Sequence, residues 1–202
     1  MMQMPEPTIL KGKFIQLEPM TLEHVGGLAY AGRDPSIWTY MLYGLVNTEE
    51  KMAGFVKEIL SRKDAGTDEP YIVRDLASGR IAGATRYLDI RKKDHAVEIG
   101  GTFYDTDFQR TYVNSEAKYL LLQNAFEKLG CIRVQFKADS RNLRSLAAIE
   151  RLGAVKEGVL RNHMVLEDGT YRHSVYYSIL PEEWPVIKHT LAERLQLSSD
   201  PI

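Results

Sequence analysis

Between Thr48 and Leu180 the spacing of apolar residues switches repeatedly between the helical and the strand period, which restricts the chain to a fold that layers helices on a sheet. Phe55, Val56, Ile59 and Leu60 form a stripe at helical spacing, with Asn47 or Thr48 placed to cap it. Residues 71–73 and 81–87, joined by a turn at Ala77-Ser78-Gly79, then read as a hairpin. Residues 95–103 form the next strand, with Val97, Ile99 and Phe103 on one face and Glu98 on the other. A long helix over 114–129 follows, its Leu122, Ala125, Phe126 and Leu129 recurring on one face and Gly130 marking its end. Strands are read at 133–138, 154–165 and 173–180, a helix at 142–152 stopped by Gly153, and a final helix around 184–195. Upstream, residues 14–18 read as a strand closed by Pro19, and 21–32 as a helix weakened by Gly26-Gly27. Residues 35–45 are aromatic and irregular.

No repeat or low-complexity linker divides the 202 residues, so one mixed α/β domain is expected over 11–180, after a loose arm at 1–10 and before a helix and tail at 181–202. The 26 basic and 27 acidic side chains nearly cancel, which argues against a protein that grips nucleic acid through its phosphates. No apolar run approaches the roughly 20 residues that span a bilayer, and residues 1–5 lack the pattern of a signal peptide, so the chain reads as cytosolic without a membrane partner. Cys131 is alone and cannot form an intrachain disulfide or a multi-thiolate site. The five histidines are scattered, so no metal is expected. Dinucleotide-binding, P-loop, zinc-protease and nucleophile-elbow signatures are all missing.

The most informative stretch is the strand, loop and helix over 95–129. The first turn of a helix presents unpaired N–H groups and a partial positive charge, and Gln109, Arg110 and Lys118 add polarity and charge nearby. This arrangement suits a pyrophosphate as well as it suits an ordinary strand-to-helix connection.

Three groups of residues carry a resemblance to a known family. The first is Asp139-Ser140-Arg141-Asn142-Leu143-Arg144-Ser145, continuing to Ile149-Glu150-Arg151-Leu152-Gly153-Ala154 and Glu157-Gly158-Val159-Leu160-Arg161. The second is Glu98-Ile99-Gly100, and the third is Tyr176-Tyr177-Ser178-Ile179-Leu180 with Glu183-Trp184. Together they resemble the GNAT superfamily of acyl-CoA-dependent N-acetyltransferases, in particular its Rim-type branch of ribosomal-protein N-terminal acetyltransferases. The resemblance implies a single domain with a central, mostly antiparallel twisted sheet of about seven strands and helices on both faces. It also implies acetyl-CoA as co-substrate. The phosphate loop of the family, [QR]-x-x-G-x-[GA], falls on Gln109-Arg110-Thr111-Tyr112-Val113-Asn114, where Tyr112 and Asn114 replace the small residues. A positive φ at 112 would cost a tyrosine about 1 kcal/mol or more. Backbone N–H groups do not depend on the side chain, so residues 110–115, ending at Ser115, are still expected to cradle the pyrophosphate in an altered geometry.

Amide formation needs a neutral amine and a stabilised leaving thiolate. Glu98 interrupts an apolar strand beside the loop and is the candidate base. Asn142, Ser145 and Ile149 share a helical face. Many members of the superfamily carry an acidic tyrosine where Ile149 stands, and by resemblance Ser145 donates a hydrogen bond to the CoA sulfur instead, beside Asn142. Trp38, Tyr40, Met41 and Tyr43, with Asn162, His163 and Met164, are the candidate acceptor-binding residues. The acceptor is expected to be a peptide N-terminus or an amino-acid-like small molecule, with homodimerisation left open. An acyl-CoA-binding module with little turnover is the alternative.

Overall fold

The computed structural model describes residues 2–166 and 168–197. Eight strands form one sheet in the order β1-β2-β3-β4-β5-β6-β8-β7: β1 Leu10–Lys11, β2 Ile15–Pro19, β3 Glu69–Asp75, β4 Ile81–Arg91, β5 Ala96–Tyr104, β6 Arg133–Asp139, β7 Val155–Val165 and β8 Tyr171–Ile179. Every neighbouring pair is antiparallel except β5 and β6. The mixed α/β, mostly antiparallel architecture read from the sequence is therefore found, with the two-residue β1 as a strand that no apolar alternation announces. Among the described residues five α-helices accompany the sheet: α1 Val25–Ala31, α2 Glu49–Asp64, α3 Tyr112–Gln123, α4 Leu143–Glu150 and α5 Trp184–Leu195. Thr48 caps α2 through its hydroxyl, which accepts from Lys51 N, and Asn142 caps α4 by accepting from Ser145 N. No helix of the described residues is long and apolar enough to cross a membrane.

The two faces of the sheet are covered differently. On one face, Tyr71, Tyr87, Val97, Val134, Phe136, Val175 and Tyr177 pack with Val113, Leu121 and Leu122 of α3 and with Trp184 and Leu191 of α5 into a single apolar core. On the other, α1 and α2 bury Leu28, Met52, Phe55 and Ile59 against Ile72, Ala84 and Phe103, so they cover only β3 to β5. Because side chains alternate across a strand, the residues of β6 and β8 that point to this second face are Gln135, Lys137 and Asp139, and Ser174, Tyr176 and Ser178. The second face is thus apolar beneath the helices and polar beyond them.

The N-terminal arm is tied down rather than loose. Met2 is buried in the main core and Gln3 N donates to Leu129 O at 2.9 Å. A second anchor lies at Glu116, a fully buried carboxylate of α3 that accepts from the backbone N–H groups of Lys13, Phe14 and Ile15 at 2.6, 2.9 and 2.9 Å. Gly12 permits this approach, since a Cβ there would stand 2.5 Å from Glu116 Oε1. The bonds join the start of the sheet to the first turn of α3. Glu116→Ala would strand three amides and should lower unfolding free energy by about 3 kcal/mol or more in urea titrations.

Candidate active site

The loop before α3 places its backbone without help from glycine. Thr111 caps the helix, its hydroxyl donating to Phe108 O at 2.7 Å and standing 3.3 Å from Val113 N. The positive φ falls on Arg110, at 63°, and Tyr112 is the first helical residue. The expected strain at 112 is therefore misplaced by two residues. The Tyr112 side chain turns away from the helix mouth: its ring packs 4.9 Å from Phe14 and its hydroxyl donates to Asp75 Oδ1 at 2.5 Å. The Asp75 carboxylate beside it pushes the phenol up to about 12. Tyr112 thus fastens the loop to the N-terminal strands, while Arg110 stays exposed and Asn114 and Ser115 half-buried in the first turn. Val113 is wholly buried in the core and contributes only its main chain to any site. Gln109 donates to Tyr104 O at 3.0 Å and accepts from Arg144 Nη1 at 2.7 Å, which brings the loop before α3 against the start of α4.

Between these two helix starts the sheet is split. The parallel ladder of β5 and β6 runs only from Ala96–Arg133 to Glu98–Gln135. Beyond it the β6-facing edge of β5 has no strand partner, and β5 itself is bulged: Ala84 pairs with Phe103 and Arg86 with Gly100, so Thr85 alone stands opposite Gly101 and Thr102. Gly101 has φ 55°, and a Cβ there would lie 2.8 Å from the Arg86 guanidinium carbon.

Glu98 sits where the ladder ends, on the polar face. It is 3% exposed, accepts from Gln135 Nε2 at 2.8 Å and lies 3.4 Å from Lys137 Nζ. Lys137 in turn stands 5.7 Å from the centre of the Tyr176 ring. The Tyr176 hydroxyl is 3.3 Å from His163 Nε2, and His163 Nδ1 is 2.9 Å from Ser174 Oγ. Burial holds His163 below the ordinary histidine range and raises the Tyr176 phenol. Arg172, buried beside Ser174 at 3.2 Å, donates toward Tyr40 O at 3.4 Å and so ties the aromatic segment to this face.

The candidate acceptor residues divide. Trp38 belongs to the core rather than to a binding wall: it is 3% exposed, stacks 5.0 Å from Phe103 and donates to Gly32 O at 2.8 Å. Tyr40 is exposed, and Tyr43 is half-buried, edge-on to Phe55 at 4.9 Å with its hydroxyl bonded to Arg86. Asn162, His163 and Met164 lie in β7 at a register shift, not in a loop. On α4, Ile149 is buried, and the half-buried Ser145 has no hydrogen-bond partner for its hydroxyl among the described residues. Burial pushes the Cys131 thiol up to about 12, the state of an inert core thiol. Gln135, Lys137, Tyr176 and Arg172 were not singled out as site residues from sequence. Their signal is the polar alternation along β6 and β8, in strands whose other face is apolar.

Residues 15–155 match the acetyltransferase (GNAT) domain family, and the chain belongs to it. A curated relative, "Putative ribosomal N-acetyltransferase YdaF" of Bacillus subtilis (strain 168), is 30% identical over 109 residues, a stretch that spans 54% of this chain and 58% of that protein. The crystal structure of a GCN5-related N-acetyltransferase from Brucella melitensis superposes with a TM-score of 0.89 at 26% identity, covering 95% of this chain and 87% of that one. RimJ of Mycobacterium smegmatis, solved in complex with CoA-disulfide, shares the fold with a TM-score of 0.72 at 15% identity, over 90% and 89% of the two chains.

Tyr112→Phe should lower unfolding free energy by about 1–2 kcal/mol through loss of the bond to Asp75, while leaving the first-turn amides of α3 in place. Urea titration and the amide spectrum of residues 110–115 check the two parts separately.

Proposed function

We propose that this protein transfers the acetyl group of acetyl-CoA to a primary amine by direct attack within a ternary complex, and that its preferred acceptors are α-amino groups of peptides or amino-acid-like small molecules. The observation that carries the reading is the early end of the β5–β6 ladder at Glu98–Gln135. It leaves a slot, edged by unpaired peptide groups, that leads from the first turn of α3 to a buried carboxylate. An extended amide-bearing arm such as pantetheine satisfies those peptide groups as a short extra strand. The pyrophosphate then meets the α3 amides around Thr111 to Ser115, with Arg110 as the adjacent charge. That the fold neighbour RimJ was solved in complex with CoA-disulfide supports CoA as the ligand.

At the inner end of the slot, Glu98 takes one proton from the acceptor's ammonium, directly or through a water, and so frees the nitrogen lone pair. The neutral amine forms the C–N bond, and as the tetrahedral intermediate collapses the C–S bond breaks with its electron pair on sulfur, which takes up the second proton released by the nitrogen, so that a neutral amide and CoA thiol result. Ser145 on α4 supplies the hydroxyl nearest that sulfur by family resemblance. Lys137 and Gln135 hold the Glu98 carboxylate in one orientation, and burial keeps His163 below the ordinary histidine range, so Arg172 is the further fixed cation of the polar face. Tyr40 and Tyr43, not Trp38, form the wall for the acceptor's side chain. An α-amino group, with a reference pKa of about 7.7–8.0 against about 10.4 for lysine, is far more often neutral at pH 7 and demands less of a single carboxylate base.

Glu98→Gln keeps an acceptor for Gln135 but cannot take a proton. Amine-dependent CoA release at pH 7 should fall roughly a hundredfold, with acetyl-CoA affinity within about twofold of wild type. The defect should shrink as pH rises through the acceptor's pKa. Normal turnover at pH 7 would leave Glu98 a structural residue. Acetyl-CoA binding with no amine-dependent release in the wild type would make the chain an acyl-CoA-binding module instead.

The acceptor class is checked with two peptides, one with a free N-terminus and no lysine, the other N-terminally blocked with one lysine. Mass spectrometry should find the first acetylated at least about tenfold faster. The reverse preference would overturn the α-amine assignment and leave acetyl transfer intact.

A further inference from the structure

The bulge in β5 is gripped from both faces by buried cations, and only one of them has a counter-charge. On the α1–α2 face, the Arg86 guanidinium packs against Gly101, with its Nε 2.8 Å from Asp68 Oδ2. On the α3 face, Lys118 is 6% exposed. Its Nζ donates to Thr102 Oγ1 at 2.9 Å and to Thr85 Oγ1 at 3.4 Å, and the two hydroxyls are 2.8 Å apart. Among the described residues no carboxylate lies within ion-pairing distance of Lys118. Thr102 Oγ1 also stands 3.4 Å from Gly100 O, so the contacts run from α3 across the whole bulge.

A lysine in this position works against folding. Burial drives its amine down to about 7, because an ammonium without a partner is poorly solvated there. A methionine of similar length would fill the same space without that burden. The three contacts made by Nζ and the two threonines all converge on the residues where β5 leaves its ladder. Thr85 is the residue opposite the bulge, Thr102 is in it, and Glu98, the last residue of β5 paired with β6, lies three residues before Gly101.

We propose that Lys118 is a positioning residue which, by holding the Thr102 and Thr85 hydroxyls, fixes the bulge at Gly101–Thr102 and with it the open edge of β5 along which the thioester must lie. The proposal rests on the acetyltransferase reading above. Lys118 touches neither the acyl group nor the amine. It acts through Thr102, setting how far the acyl carbon sits from an amine deprotonated by Glu98.

The test uses Lys118→Met, Thr102→Val and Thr102→Ser in the full chain, with three readouts. In Lys118→Met, kcat for amine-dependent CoA release should fall tenfold or more. Acetyl-CoA affinity by calorimetry should stay within threefold, and the thermal midpoint should equal or exceed that of wild type. Amide exchange at Gly101 and Thr102 should quicken at least tenfold, with β2 and β3 unchanged. Thr102→Val should reproduce the kcat and exchange effects, and decides the matter should Lys118→Met fail to fold. Thr102→Ser, which keeps the hydroxyl, should restore at least half of the lost turnover. Wild-type kcat in Lys118→Met and Thr102→Val, or unchanged exchange at the bulge in both, overturns the proposal. A wild-type protein that binds acetyl-CoA but releases no CoA on addition of an amine would overturn the acetyltransferase reading instead.

Discussion

The short parallel contact between β5 and β6 is the constraint on which the rest of this structure depends. Three residue pairs hold the two halves of the sheet together, and after Glu98–Gln135 the strands part. Peptide groups along a sheet edge need partners, and an interior edge can meet them only with water, a ligand or another strand. The split therefore leaves an open slot and a stability problem at the same place. The surrounding structure meets that problem with the bulge at Gly101, with Gln109 and Arg144 bridging the starts of α3 and α4, and with α3 and α5 clamped beneath.

The chemistry of the two sheet halves follows from unequal cover. Helices α1 and α2 bury apolar side chains over β3 to β5 only, so the corresponding face of β6 and β8 is free to carry charge. Glu98 lies at the boundary. Its carboxylate is held by Gln135 and Lys137 rather than by solvent, and the donors Tyr176, His163, Ser174 and Arg172 continue outward across the sheet. A carboxylate so placed is shielded from solvent and held in one orientation at the point where the β5–β6 ladder ends. Arg172 extends the same network to Tyr40, which links the aromatic segment to the polar face.

Much of this was legible before any coordinates. The helix cap at Thr48, the hairpin of β3 and β4 and the helix after the loop are consequences of local propensity and periodicity. Glu98 stood out because it broke an apolar alternation. The misreadings share a different cause. Trp38 reads as a binding residue in sequence because an aromatic cluster looks alike whether it faces a ligand or, as here, Phe103 and Phe55. Tyr112 was assigned strain that Arg110 carries, since φ depends on how the loop enters the helix and not on which residue occupies a motif position. The arm read as loose because nothing local marks Met2 as a core residue or Glu116 as the acceptor for backbone a hundred residues away.

By itself the sequence determined the longer elements, their order and the family pattern around Asn142 and Ser145, because these depend on interactions between residues near one another in the chain. Tertiary structure alone decided where the β5–β6 ladder stops, which cations grip the bulge, and that Lys137, Tyr176 and His163 gather beside Glu98. Those features arise from strand register and from which face each helix covers. A shift of one residue in register would send every one of these side chains to the opposite face, and no local propensity distinguishes the two outcomes.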